Sequence, residues 1–419
     1  MTGRRARAAV AVTACMLLLT GCPAADDRNP PPTTDQALPG LPTRASTDLP
    51  AYAGPPAGAP ASAGPLTRVV GSVDLTPATP GVFAREEAAV ATPDGGALVL
   101  MSPADRSLPQ SLVTVSAGFT LGGSIPLPRL RDVWALHALP DGAVAVTGLL
   151  ADGYGVEFAD PATGQVRTTV LAPSGSRPDS EDGRSALSPD GATLYLMVSV
   201  VAGDDVREQL FAIDTASGKV LTRRDLAADV AAASRFPVGR QLGGLVARPG
   251  GGVTLVFDAS PTDVAEKRIP TLLPYDAELV PAGAPVRATG LAEGAETQSV
   301  AGAPDGTVFL LVAVKEEAWI LGIPDGGGAG PLLAQLADRI FDYALVVEPA
   351  QVWAVLPAPT GASAVNLTTG ESSGPVDVDC EPRLDVRNLY SAPGGALMIG
   401  ECDTPREDTQ MLWFLGPST

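Results

Sequence analysis

Seven times along this chain an apolar run stops at a proline-led turn and gives way to a second apolar run rich in Val and Leu. The turns are Thr92-Pro93-Asp94-Gly95, Leu139-Pro140-Asp141-Gly142, Ser188-Pro189-Asp190-Gly191, Arg248-Pro249-Gly250-Gly251, Ala303-Pro304-Asp305-Gly306, a degenerate Glu348-Pro349-Ala350-Gln351, and Ala392-Pro393-Gly394-Gly395. Proline presets φ for a tight turn, Asp bonds its own backbone there, and Gly accepts the left-handed conformation that closes it. Each copy is therefore a hairpin. Successive prolines lie 47, 49, 60, 55, 45 and 44 residues apart, and a self-similar period of that size predicts an all-β fold, a seven-bladed β-propeller.

The arms of the hairpins agree. Ala97-Leu98-Val99-Leu100-Met101, Val144-Ala145-Val146 and Val308-Phe309-Leu310-Leu311-Val312 are nearly continuous apolar runs of strand length, as expected of strands covered on both faces. A second turn follows in some units, at Asp160-Pro161-Ala162-Thr163-Gly164, Asp214-Thr215-Ala216-Ser217-Gly218 and Asn366-Leu367-Thr368-Thr369-Gly370. Two hairpins per unit make four strands, which is one blade. These turns resemble those of the bacterial YVTN-type and WD40-like propeller repeats over roughly residues 66–419. The resemblance implies the architecture alone, because the Gly-His and Trp-Asp pairs of a true WD40 unit are absent and Gly218-Lys219-Val220-Leu221 lacks the Trp of quinoprotein propellers.

The last repeat runs out after Met411-Leu412-Trp413-Phe414-Leu415, its third strand. The missing fourth strand is expected from residues 67–75, which lie before the first blade and are otherwise unpaired; closing the ring this way buries an edge that would template aggregation. The propeller domain is thus residues 66–419.

Ahead of it the chain is not domain-like. Arg4, Arg5 and Arg7 precede a short apolar stretch over 8–19, ending in Leu19-Thr20-Gly21-Cys22. That layout is an export signal, too short to span a bilayer. Leu-Thr-Gly-Cys resembles the bacterial lipobox, which implies a signal peptide over 1–21 and lipidation of Cys22; the alternative is an ordinary secretory peptide with an incidental Cys. Residues 22–65 are rich in Pro, Ala and Gly, and such a segment buries too little apolar surface to fold. It reads as a disordered tether, reaching up to roughly 130 Å if extended. The expected location is the extracytoplasmic face of the cell membrane, held by lipid alone.

Without the signal the chain carries 25 basic and 47 acidic residues. So acidic a surface argues against nucleic acid as a partner. Of the four cysteines, Cys15 leaves with the signal and Cys22 carries lipid. Cys380 and Cys402 remain, an even pair expected to form a disulfide in an exported protein, with two free thiols as the alternative.

The search for chemistry returns few candidates. The single histidine, His137, sits in an apolar inner strand and reads as a hydrogen-bonded core residue. No Gly-x-Ser-x-Gly, P-loop or Cys-x-x-Cys occurs, so the usual nucleophile and phosphate signals are absent. Pro178-Asp179-Ser180-Glu181-Asp182-Gly183 and Val376-Asp377-Val378-Asp379-Cys380-Glu381 alternate carboxylates as a Ca²⁺ site might present them, but they lack EF-hand spacing and read as solvated loops. No cofactor is expected, with Ca²⁺ the one candidate. Eight residues before each turn proline the units show Arg85, Asp132, Glu181, Gln241, Glu296, Phe341 and Asp385. Arg85, Asp132, Glu181, Gln241, Glu296 and Asp385 are the candidate binding residues of the channel mouth, although strands entering from a loop are commonly polar. Loops on that side are expected over 103–110, 172–185, 202–208, 227–240, 259–268 and 403–410, and loops are where function usually resides. The expected function is a monomeric binding or scaffolding module for an envelope protein, peptide or glycan. The alternative is a divalent-cation-dependent, lactonase-like hydrolase with its site at the channel mouth.

Overall fold

Five of the proline-led turns are closed by their own atoms. The glycine N–H donates back to the carbonyl before the proline, from Gly95 to Thr92, Gly142 to Leu139, Gly191 to Ser188, Gly251 to Arg248 and Gly306 to Ala303, at 2.8–3.1 Å. Gly95 and Gly142 have φ of 88° and 86°, open to glycine at no steric cost. The aspartate then accepts the N–H two residues on: Asp141 from Ala143 at 3.0 Å, Asp190 from Ala192 at 3.0 Å and Asp305 from Thr307 at 2.9 Å. Hydroxyl donation from Thr92 and Ser188 holds the carboxyls of Asp94 and Asp190 below the usual range.

In this computed structural model the described residues are 66–78, 85–103, 109–171, 183–202, 205–234, 242–259, 268–288, 295–303, 305–314, 317–324, 332–336, 344–347, 352–358, 360–366, 375–380, 383–392, 394–403 and 408–416. The signal and tether, with Cys22, lie outside them, as do Glu181, Gln241, Phe341 and the degenerate turn at Pro349. The described strands form seven four-stranded antiparallel sheets, arranged as the blades of a propeller. The innermost strands, in blade order, are Arg85–Ala91, Leu130–Ala138, Gly183–Leu187, Leu242–Ala247, Glu296–Gly302, Ala344–Val347 and Arg383–Ala392. Because the strands alternate in direction, the proline-led hairpins and the outer hairpins share one end of every blade, the turn end. The second-to-third connections and the links between blades share the other, the mouth end.

Alternate residues of one strand serve different neighbours. In the second strand of blade one, Ala97–Ser102, the side chains of Val99 and Met101 join Leu397 and Leu412 of blade seven, whereas Leu98 and Leu100 join Leu136 and Val146 of blade two. This two-sided burial is why the strands read as continuous apolar runs.

The ring closes as the sequence leads one to expect. Strand Arg68–Asp74 pairs antiparallel with Asp408–Gly416, placing Ser72 opposite Trp413 and Val73 opposite Leu412. A clasp from blade one covers the joint: Phe119, at φ 58°, sets its ring 5.0 Å from that of Phe414 and so close to Gly71 that a Cβ there would lie 2.3 Å from a ring carbon.

Three details differ from the sequence reading. Among the described residues a β-bulge interrupts the inner strand of five blades, between Glu86 and Ala88, Val133 and Ala135, Leu242 and Gly244, Thr297 and Ser299, and Val386 and Asn388. Each time the extra residue lies six before the turn proline, so a straight count from the turn is one residue out beyond it. Cys402 accordingly faces Leu384, not Asp385; the Cα atoms of Cys380 and Cys402 are 5.5 Å apart and their sulfurs are at bonding distance, within disulfide range. Second, the second and third strands of blade three run on into the loop expected over 202–208, until Ala202 pairs with Asp205. Third, the insertion over 227–240 begins with a helix, Ala227–Ala233.

Blade four has an outer strand of two residues, Val286–Arg287. The carbonyls of Pro270 and Pro274 accept Ala288 N–H and Ala282 N–H on the outward edge of the third strand. The same two residues have no outward N–H to offer, so a longer ladder cannot form.

A chain beginning at Thr76 is expected to lose cooperative unfolding or to aggregate, and Gly71→Val, forced against Phe119, to cost roughly 1–3 kcal/mol. Thermal melts beside the chain beginning at Leu66 check both; equal melting temperatures would mean that the closing strand is dispensable.

Candidate functional site

Three of the predicted mouth residues have described side chains, and each is held by a partner at its own position. Glu296 Oε1 accepts from Arg268 Nη1 at 3.0 Å. Arg387 Nη2 lies between Asp385 Oδ2 at 3.3 Å and Glu401 Oε2 at 2.8 Å. Asp132 Oδ1 accepts the N–H of Val133 at 3.0 Å. Arg85 opens the inner strand of blade one opposite Ser102. Among the described residues no group of three or more His, Cys, Asp or Glu is placed to hold a metal ion. Asp377, from the second acidic run, accepts a hydrogen bond from the Thr360 hydroxyl.

The sequence reading missed Asp258. It stands near the end of Val253-Thr254-Leu255-Val256-Phe257-Asp258-Ala259, the second strand of blade four, and is 5% exposed. Its carboxylate accepts Thr297 N–H at 2.9 Å and Thr297 Oγ1 at 2.7 Å, tying blade four to the inner strand of blade five. Burial pushes its pKa up to about 6, and the nearby Glu296 adds to the rise while the Thr297 bonds and Arg268 oppose it. A lone acid ending an apolar strand was the available signal.

His137 bridges blades two and three. Its Nε2 lies 2.8 Å from Ser185 Oγ, which in turn lies 3.0 Å from Thr147 Oγ1. Desolvation lowers its pKa to about 4, so the imidazole is neutral at physiological pH.

The two ends of the blades differ in how well their polar groups are satisfied. At the turn end, aspartates cap the outer hairpins as they cap the inner ones: Asp160 accepts Ala162 N–H at 2.9 Å, Asp214 accepts Ser217 N–H at 2.7 Å and Asp276 accepts Glu278 N–H at 3.1 Å. At the mouth end, Ser102 Oγ, Gln110 Oε1, Trp134 Nε1, Asp152 Oδ1, Ser199 Oγ and Trp319 Nε1 are shielded from solvent without a hydrogen-bond partner. Ser102 and Gln110 flank the second-to-third connection of blade one, and Asp152 lies in that of blade two. Ser199 and Trp319 stand beside those of blades three and five, and Trp134 is the bulged residue of blade two. No such atom occurs at the turn end among the described residues. Native proteins leave few buried polar groups unpaired, and each calls for an explanation.

No protein-family model matches this chain, and no curated protein matches it. Solved structures do. It is similar to virginiamycin B lyase from Staphylococcus aureus at 11% identity and a TM-score of 0.54, over 83% of this chain and 99% of that one. The β-propeller domain of Cps50 (Swd1) from Myceliophteria thermophila matches at 12% identity and 0.52, over 83% and 98%. An oligogalacturonate lyase in complex with manganese matches at 11% and 0.52, over 84% and 98%. The chain shares the propeller fold with all three. At such identities that is the whole of the likeness, since one fold hosts unrelated activities.

Asp258 generates a pH prediction. Its folded pKa of about 6 exceeds the ordinary carboxylate value, so the native state holds this proton more tightly than the unfolded chain does. The group therefore favours folding at low pH, and that contribution is lost as pH rises through about 6. Asp258→Asn keeps an acceptor for Thr297 N–H and removes the charge. The variant is expected to exceed the parent in stability at pH 7.5 by roughly 1–3 kcal/mol, the gap closing toward pH 5. A gap that denaturant melts show to be independent of pH would refute the assignment.

Proposed function

We propose that this protein is a lipid-anchored, extracytoplasmic β-propeller that holds an envelope protein, peptide or glycan against its mouth end. The observation that carries the reading is the asymmetry between the two ends. Among the described residues the turn end meets its own hydrogen-bonding needs, whereas the buried polar atoms left without a partner lie toward the mouth end. Unpaired buried groups cost stability, and an end that tolerates them, built from connections that differ from blade to blade, is the end more suited to binding than to self-closure.

The charged residues of the mouth fit the same role. Glu296 with Arg268, and Asp385 and Glu401 with Arg387, are ion-paired across or within strands, so their geometry is set before a ligand arrives and less ordering entropy is lost on binding. The anchor rests on the lipobox-like Leu19-Thr20-Gly21-Cys22 and the Pro-rich segment that follows. With an anchor behind and a tether between, the propeller acts as a reach-and-hold module in the envelope.

The test is position-specific photo-crosslinking in the producing cell. A crosslinking residue at Gln298 or Arg387, at the mouth end, is expected to capture a partner, and one at Asp141, at the turn end, is not. Cys22→Ala is expected to move the protein from the membrane fraction to the soluble one. Capture from Asp141 alone, or equally from both ends, would overturn the mouth-end reading, and unchanged fractionation would overturn the anchor.

A further inference from the structure

The strand that closes the ring also sets where the preceding chain leaves it. Third strands run from the mouth end to the turn end, and Arg68–Asp74 lies antiparallel to the third strand of blade seven. Arg68 therefore sits opposite Gly416 at the turn end, and Asp74 opposite Met411 toward the mouth. Thr67 N–H donates to the Gly416 carbonyl at 3.0 Å, and Leu75 N–H to that of Gln410 at 2.8 Å. The chain ahead of Leu66 thus departs from the turn end. Ladder bonds stand perpendicular to their strands, so a pull on that chain, with the mouth end held, runs along the strand and loads the bonds together. A sideways pull would peel them one at a time.

A second feature opposes the same displacement. Gly71 stands opposite Phe414 and Val73 opposite Leu412, which puts both, with Leu75, on the face toward blade one. The Phe119 ring of blade one lies over Gly71, where a Cβ would be 2.3 Å from a ring carbon. Val73 follows on that face, two residues nearer the mouth. A slide of about 7 Å toward the turn end carries the Val73 side chain to the place the ring occupies. The ring is fixed from behind. Phe119 N–H donates to the Ser116 carbonyl at 2.9 Å, Ser116 N–H donates to the Thr120 carbonyl at 3.0 Å, and the ring packs 5.0 Å from that of Phe414. Phe119 holds φ at 58°, whereas the matching position in blade three, just before the outer turn closes, is Gly218 at 70°. A bulky residue kept in the left-handed region marks a place where the surroundings impose the conformation.

We infer that this seam is a directional catch: it resists tension between the chain ahead of Leu66 and the mouth end, and yields more readily to a sideways pull. An anchor behind and a partner held at the mouth would supply that tension, so the role of the catch rests on the proposed function. The catch itself belongs to the register of the seam and to Phe119. When it yields, the closing strand leaves first, and the ring opens where neighbouring strands are not consecutive in sequence, before any blade unravels.

The test is single-molecule force spectroscopy on the full-length chain in two geometries. One handle precedes Leu66; the other is at Gln298, on the mouth end, or at Asp141, on the turn end, where the pull crosses the strands. With the Gln298 handle the first rupture is expected to release the chain between Leu66 and Arg85, a gain of about 65 Å when extended. It is also expected to survive a fixed force several-fold longer than the rupture with the Asp141 handle. Phe119→Gly keeps the turn, because glycine accepts its φ, and removes the ring. The variant is expected to shorten the lifetime several-fold in the Gln298 geometry and much less in the Asp141 geometry. Equal lifetimes in the two geometries of the parent overturn the catch, with no variant required. So does a proportionate loss in both geometries on Phe119→Gly, the mark of a packing residue alone, or a first rupture that frees a whole blade, more than about 150 Å. None of these measurements needs lipid or a partner; unchanged fractionation of Cys22→Ala, or absent crosslinks at the mouth, would instead overturn the role of the catch in the envelope.

Discussion

Everything in this molecule depends on the pairing of Arg68–Asp74 with Asp408–Gly416. A blade is apolar on both faces, and each face is covered only by its neighbour. The cluster that holds Val73 and Leu75 also holds Val99 and Met101 of blade one and Leu397 and Ile399 of blade seven. If the first and last blades were not joined, two such faces and a strand edge would stand in water. Seven sheets that are individually marginal become mutually supporting once that seam is made, and Phe119 across Gly71 and Phe414 locks it from blade one.

Given the ring, the two ends divide the work. Sequence-local chemistry finishes the turn end: where an aspartate stands in a proline-led turn it accepts the N–H two residues on, as Asp141, Asp190 and Asp305 do. The mouth end is assembled from connections of unequal length, so no short motif can satisfy it. Shielded atoms such as Gln110 Oε1 and Trp319 Nε1 remain unmatched there, while Asp258 and Thr297 stitch neighbouring blades beneath them. Among the described residues the buried polar atoms without a partner are thus confined to the mouth end, the asymmetry on which the proposed role rests.

The inner-strand bulges connect the two ends. Each lies at a constant distance from its turn, and each shifts the alternation of every residue above it. Glu86 and Ala88 are separated in the ladder by one extra residue, as are Thr297 and Ser299. The residue types near the mouth are therefore set by chain position, but which groups meet there is set by the bulge. This is how Asp385 comes to face Glu401, with Arg387, the bulged residue, paired to both.

The amino-acid sequence by itself determined the blade count, the strand order within a blade, the closing strand and the hairpin chemistry. Those features depend on contacts between residues close along the chain, or on a period that repeats, and local steric preferences report them directly. Cys380 and Cys402 were legible as a pair for the same reason, since one hairpin joins them. The tertiary structure alone decided the site. Asp258 and Thr297 are 39 residues apart, and Arg268 and Glu296 are 28 apart; neither pairing leaves a mark on the local pattern. Burial of a carboxylate and the missing partner of an indole N–H are properties of what surrounds a group in space. A repeat predicts the frame of such surroundings, but it is silent on which side chains from adjacent blades share a cleft.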